Sequence, residues 1–437
     1  MLTLKDDTML GNIPGGWDVK PLCRLLIADY PGDWGEERGA RMTRVLRSTN
    51  LSNDGHLNLS DVALRALPAR KAEFLAPRAN DILLERSGGG PGQPVGRVGF
   101  VDAYMPAHGF SNFLHLLRPD TEGINARFLG WVLHQVNRTG RVVRLEQQTT
   151  QMRNLHLRDY LTMPLPVPPP DEQAEIAHIL DAVDTALERN RAAFERAQEV
   201  KLALIQRVLA AGLRGESTKK TPIGHVPRSW QVVPVSSVVT NFQYGLSVPM
   251  ELKGDLPILR MGNIQDGNVL LADLKFVTLP ARVVTPYRLR RGDVLFNRTN
   301  SQEWVGKVGI YRHDTPGVFA SYLIRVLPDP TKVDNYYLGH VLGSYQTQCR
   351  IKRYATPGVQ QVNINATNLG KVLIPVPAGD DGLREQREIA ALLEAADGAA
   401  RSYERVLAAQ QALKKSLMHD LLTGRVRLTN AVQAAAS

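Results

Sequence analysis

EQAEIAHIL at Glu172–Leu180 returns as EQREIAALL at Glu385–Leu393, 213 positions later, and in both places it opens an apolar run just after a proline-rich stop. Working outward from Glu172, the positions Ile176, Leu180, Val183, Leu187, Phe194, Leu204 and Val208 fall on steps of three and four or their sums. Residues so spaced share one face of a helix, so the stretch predicts a long helix with a single apolar seam. The second copy repeats the pattern at Ile389, Leu393, Tyr403, Leu407, Leu417 and Leu421. Asn190 and Lys201 fill seam positions of the first helix, Gln410 and Lys414 those of the second. Polar residues there weaken a seam and can fix its register. Some 40 residues at about 1.5 Å each make a rod on the order of 60 Å. Neither rod can leave its stripe in water, so the two are expected to pack on each other as an antiparallel coiled coil. A homodimer zipper is the alternative.

A second repeat keeps the same offset: TMLGNIPGGW at Thr8–Trp17 against TPIGHVPRSW at Thr221–Trp230. Between these anchors the copies diverge, which describes one frame holding two different inserts. The expected organisation is a first mixed α/β module over 1–170 with an N-terminal segment 1–16, and a spacer helix over 171–215. A second module over 216–380, a second spacer helix over 381–428 and a disordered tail over 429–437 complete it. The fold class is α+β with a pseudo-two-fold repeat.

Composition narrows the function. The chain has 437 residues, 43% of them hydrophobic, and a net charge of +10. Residues 1–170 hold 20 Lys+Arg against 17 Asp+Glu, and 216–380 hold 19 against 11, so the inserts carry +3 and +8. Excess positive charge is the footprint of a phosphate-binding surface. No apolar run reaches a membrane-spanning length and the N-terminus is too acidic for a signal peptide, so a cytoplasmic protein without membrane association is expected. Cys23 and Cys349 lie far apart without metal-ligand spacing and read as two buried thiols.

Within the inserts, ANDILLERS (79–87) precedes VGRVGF (95–100), as RGDVLFNRT (291–299) precedes VGKVGI (305–310). Both read as strand, polar loop, strand. FSNFL (110–114) and FASYL (319–323) then lead to helical RFLGWVL (127–133) and YYLGHVL (336–342). Arg, Asn and Gln are the side chains able to make paired hydrogen bonds to base edges in the major groove. The first insert offers Arg86, Ser87, Gln93 and Arg97 in one loop and Gln147, Gln148, Gln151 and Arg153 in another. The second offers Arg298, Thr299, Asn300, Ser301, Gln302 and Lys307, then Arg353, Gln360, Gln361 and Asn363. Equivalent loops with different contents suggest two readers of two sequences.

Catalysis finds no such support. The glycine run SGGGPG (87–92) matches neither dinucleotide nor P-loop spacing. Glu251-Leu252-Lys253 lacks an Asp between 216 and 250 to complete a nuclease metal site. No HExxH, G-x-S-x-G or adenine-methylation motif is present, and no catalytic residue, metal or cofactor is expected. A protein-interaction adaptor with a coiled-coil spacer and a stand-alone DNA-modifying enzyme are the alternatives.

RMGNI (260–264), GDVLFNRTNS (292–301), VGKVGIY (305–311) and VNI (362–364), with the twice-written stop before an EQ helix, resemble the specificity subunits of type I restriction-modification enzymes. Arg260 and Asn263 join the candidate DNA contacts through this wording. The resemblance implies a non-catalytic DNA reader whose two recognition domains bind a bipartite, asymmetric target in double-stranded DNA. It also implies methyltransferase partners, two of them, and restriction subunits in the full complex, with cofactors belonging to those partners.

Overall fold

The computed structural model describes residues 4–89, 92–148, 152–357 and 361–428. The expected tail, 429–437, falls outside them. Chain contacts divide the protein into two compact units, Met1–Arg191 with Arg405–Ser437, and Ala192–Glu404. Each unit therefore takes one insert and a half of each long helix. Four helices frame the inserts: α1 at Ala126–Arg138, α2 at Pro170–Ala211, α3 at Asn335–Gly343 and α4 at Gly382–Leu422. Strands and helices are mixed throughout, and among the described residues no helix is long and apolar enough to cross a membrane.

In the first unit a four-stranded antiparallel sheet runs Leu26–Pro31, Leu114–Pro119, Ile82–Glu85, Val98–Phe100. Ile82–Glu85 and Leu114–Leu117 are buried on both faces, which is why they read as continuous apolar runs rather than alternating ones. The face against α1 meets Phe128, Trp131 and Val132, and this core continues into Ile176 and Leu180 of α2 and Met418, Leu421 and Leu422 of α4. Each such side chain contributes roughly 1.5–3 kcal/mol by leaving water.

The second unit repeats the sheet as Val239–Tyr244, Leu323–Pro328, Val294–Asn297, Val308–Ile310 and adds Gly267–Val269 and Ile264–Gln265. Its core joins Phe296, Ile324, Tyr337 and Leu338 to Val208 and Leu209 of α2 and to Ile389 and Leu393 of α4. The strand, loop, strand and helix stretches of the inserts thus take the expected structures.

Helix partners run in opposite directions within each unit. In the first, Asp184 binds Lys414 and Asn190 donates to Gln410 at 2.9 Å, while Glu172 meets Arg427. In the second, Lys201 holds Asp397 at 2.7 Å and Arg214 reaches Glu385. The two lysines of the seam are therefore ion-paired. Tyr403 is a correction, being 36% exposed. Val183, Phe194, Leu204, Leu407 and Leu417 are only half-buried, whereas Asp184, Lys414 and Asp397 are buried. Polar locks replace apolar packing where the helices carry little core. A second correction concerns the thiols: Cys23 and Cys349 are both exposed.

Both helices stop on a left-handed glycine, Gly212 at φ +64° and Gly424 at φ +66°. A Cβ on Gly424 would lie 2.5 Å from the Pro14 ring and one on Gly212 3.0 Å from Glu385. Glycine alone tolerates both the backbone and the approach.

Candidate nucleic-acid interface

Each insert is fastened to its helices by the EQ pair. Gln173 accepts from the backbone N–H of Asn125 at 2.7 Å and donates to the Pro168 carbonyl, and Gln386 does the same for Asp334 and Pro377. Asn125 and Asp334 are the N-caps of α1 and α3, so one glutamine fixes the start of each insert helix. Glu172 accepts from the Trp17 indole at 2.9 Å and from both arms of Arg427. In the second unit Glu385 meets Arg214 at 3.4 Å and the Leu213 N–H at 3.3 Å.

A second joint lies one turn beyond Asp184 and Asp397 toward each helix start. Asp181 accepts from Trp131 and Arg127 in the first unit. Glu394, its counterpart, accepts from His340 at 2.8 Å and Arg312 at 2.7 Å. Burial pushes the Glu394 carboxyl up, but hydrogen bonds from Arg312 and His340 outweigh it and hold the group down at about 2. Ligand atoms of His340, Glu394 and Asp397 lie within 4.8 Å of one another. Arg312 and Lys201 already occupy these carboxylates, so a metal ion would have to displace two cations; the cluster is an ionic joint.

In the first unit, burial lowers His134 to about 3, and Asp184 raises His56 by accepting its hydrogen bond. Asp184 itself is pushed up by burial but ends below its ordinary value through His56 and Lys414.

The two polar loops of each insert meet in a small three-stranded sheet. Ser87–Gly88 pairs with Arg153–Leu155, which pairs with Glu146–Gln148. Thr299–Asn300 pairs with Val362–Asn363, which pairs with Thr356–Pro357. Loops distant in sequence thereby form one surface in each unit.

Side chains on these surfaces differ in what already holds them. Arg86 and Arg298 are half-buried, with the Arg298 guanidinium 5.0 Å from the Tyr244 ring centroid and bonded to the Ser321 carbonyl. Gln93, Gln147, Ser301, Gln302, Arg353 and Gln361 are exposed, Gln93 within 3.3 Å of Asn53. Asn300 is half-buried and Lys307 lies 3.4 Å from the centre of the Trp304 ring. Gln148 belongs to a described strand, whereas Gln151 and Gln360 lie outside the described residues.

Other candidates are engaged internally. Arg97 donates to both oxygens of buried Glu85 and to the Leu51 and Ser48 carbonyls. Arg153 pairs with Glu146 at 3.1 Å. Ser87 and Thr299 are buried, and Thr299 donates to Asn363. Asn263 is buried too: it accepts from the Arg260 N–H and donates to the Leu270 and Ala272 carbonyls, while Arg260 pairs with Asp273. Arg47, Asn50 and Asp61 build the same turn in the first unit. An R-x-x-N repeat at 47–50 and 260–263 is the sequence signal for a structural turn. The joints Trp17–Glu172, Trp131–Asp181 and Arg312–Glu394 leave no mark in local wording, because each spans at least 50 residues.

The sequence pattern of the type I restriction modification DNA specificity domain matches residues 44–193. This part of the chain is similar to that domain. The segment takes in both polar loops of the first unit and the EQ joint. A Methanocaldococcus jannaschii chain bearing the name of a type I restriction enzyme MjaX specificity subunit is 30% identical over 219 residues, 49% of this chain and 51% of that one. The match spans about half the length of that relative. The type I restriction enzyme StySPI specificity subunit of Salmonella potsdam is 21% identical over 397 residues, covering 88% of this chain and 82% of its own. The fold is that of the type I restriction-modification S subunit from M. genitalium, with a TM-score of 0.62, 14% identity, and 96% and 98% of the two chains covered.

Proposed function

We propose that the chain is the DNA sequence-recognition subunit of a type I restriction-modification system. Each unit presents one recognition surface, so the target is bipartite and asymmetric. The observation that carries this reading is the twofold occurrence of one joint, EQ to the N-cap of an insert helix, beneath two surfaces with different side chains. A duplicated frame under unlike surfaces has a use only if the surfaces meet unlike ligands.

In this reading the modules are 1–170, with its N-terminal segment 1–16, and 216–380, and α2 and α4 form an antiparallel coiled-coil spacer with pseudo-two-fold repeat. Arg86, Arg298, Lys307 and the exposed Gln93, Gln147, Ser301, Gln302, Arg353 and Gln361 face DNA. Arg97, Ser87 and Thr299 shape the loops that carry them, and Arg260 and Asn263 close the turn at 260–273. Phosphate contacts supply affinity and its salt dependence, while base edges supply discrimination. The chain is non-catalytic and cytoplasmic; two methyltransferase subunits and the restriction subunits dock on it, with charged helix faces such as Glu188, Arg189, Glu195 and Arg196 available to them.

Mapping methylated bases in host DNA with and without the gene tests the proposal. One split motif should vanish on deletion; a methylation pattern that does not change would overturn it. DNA cut or methylated by the purified chain alone would favour the enzyme reading instead.

A further inference from the structure

Phe113 and Tyr322 occupy the same place in the two inserts, the fourth position of FSNFL and FASYL. Their neighbours Phe110, Leu114, Phe319 and Leu323 are fully buried, yet these two rings stand 37% and 38% exposed. The turn beneath each is closed by the same hydrogen bond, Leu114 N–H to the Ser111 carbonyl and Leu323 N–H to the Ala320 carbonyl, both 2.9 Å. Each ring residue is also tied to the start of the polar loop. The Phe113 carbonyl accepts from the Arg86 N–H at 2.8 Å and the Tyr322 carbonyl from the Arg298 N–H at 3.0 Å.

An aromatic ring left in water on a stiff turn costs solvation but little ordering entropy on contact. Among the other exposed rings, Tyr104, Tyr244, Trp304 and Tyr345 stand in one unit without an exposed aromatic ring at the matching place. Charges at the loops were exchanged between the units, since the Arg97 guanidinium is ion-paired whereas the Lys307 ammonium lies over the Trp304 ring. The ring at Phe113 and Tyr322 persists through that exchange. Its partner is therefore apolar and common to both half-sites in kind.

We propose that Phe113 and Tyr322 are specificity-determining residues, each laying its ring against the apolar C5 edge of a pyrimidine in the major groove. That pyrimidine lies beside the base pair reached by Arg86 or Arg298. Apolar contact with that edge discriminates among bases without charge. The inference rests on the DNA-reading proposal. It separates from it because a contact of this kind leaves the number of neutralised phosphates, and so the salt slope, unchanged.

The test uses the full chain and a duplex enriched by it from a randomised pool. Failure to enrich any duplex would sink the DNA-reading proposal itself. With an enriched duplex, Phe113→Ala and Tyr322→Ala should each lose about tenfold in affinity, the cost typical of one mismatched pair. The loss should disappear when the half-site read by that unit is scrambled. The log–log salt slope should equal that of the wild type, and Tyr322→Phe should bind as the wild type does. Re-selection with Phe113→Ala should return a motif degenerate at one pyrimidine position of one half. Equal affinity of the alanine variants, a shallower salt slope, or a Tyr322→Phe loss as large as that of Tyr322→Ala would each overturn the inference. Unchanged melting temperatures guard against misfolding as the source of any loss.

Discussion

Arg97 of the first unit and Lys307 of the second stand at the same position of VGRVGF and VGKVGI. Arg97 is locked to Glu85, whose side chain is 1% exposed. Where Glu85 stands in the first strand, the second has Asn297, a neutral group bonded to the Trp304 carbonyl, and Lys307 turns to the Trp304 ring instead. One substitution in a buried strand thus decides whether the neighbouring cation is structural or available. The same trade appears at the helix joint, where Trp131 and Arg127 hold Asp181 while His340 and Arg312 hold Glu394. Backbone geometry is kept and side-chain chemistry is exchanged. A surface can then change what it presents without moving the frame beneath it.

The contrast is broken most directly at Arg97. Arg97→Ala strands a buried carboxylate and should cost about 3–5 kcal/mol in a denaturant titration. Lys307→Ala should cost under about 0.5 kcal/mol of stability while lowering DNA affinity and the salt slope by about one unit. Equal stability losses would erase the distinction between the units.

The EQ glutamates sharpen it. Glu172 receives Trp17, both arms of Arg427 and the Leu428 N–H. Its replacement by alanine should cost about 3–5 kcal/mol. Glu385 has looser partners, and Glu385→Ala should cost about 1–3 kcal/mol. Melting curves of the two variants measure the difference.

Acid sensitivity should also be unequal. His134, with its folded value at about 3, binds a proton in the unfolded chain that it refuses in the folded one. Stability from this residue is complete above its ordinary value near 6.5 and is lost as pH falls toward 3, by about 1.4 kcal/mol for each pH unit. His56, raised by Asp184, acts with the opposite sign: its contribution is full below 6.5 and fades as pH rises through the raised value. The second unit has Gly343 at the place of His134, and Glu394 keeps its contribution until pH falls below its ordinary value toward 2. His134→Gln should therefore flatten the decline of melting temperature between about pH 6.5 and 4.5. An unaltered decline would show that His134 is not its source.

The smallest effect is expected at Tyr403. Replacing this exposed residue with Lys should change stability by less than about 0.5 kcal/mol, whereas Leu393→Ala, fully buried in the second core, should cost about 2–5 kcal/mol.

Periodicity makes the two long helices and the insert strands legible, because 3.6-residue and strand spacing are local properties. The polar seam positions are visible as residues, but their partners are not: Asp184 and Lys414 are 230 positions apart. The same limit applies to the surface. Arg298 and Gln361 can be named as polar loop residues, whereas the sheet that unites their loops is a product of tertiary pairing. Arg97 reads as available because its type suits base recognition and Asn263 through the RMGNI wording, and only the fold reveals that carbonyls and a carboxylate have already taken their donors. Phe113 and Tyr322 do not stand out in FSNFL and FASYL, since burial on one side of a turn and exposure at its tip leave no mark in composition.

Lys414 with Asp184, and Lys201 with Asp397, have a consequence for how the helices tolerate change. Sliding one helix by a single residue in either unit would draw an ammonium away from a buried carboxylate, so each pair works like the pin of a padlock. Within each unit the pair fixes which turn of α2 lies against which turn of α4.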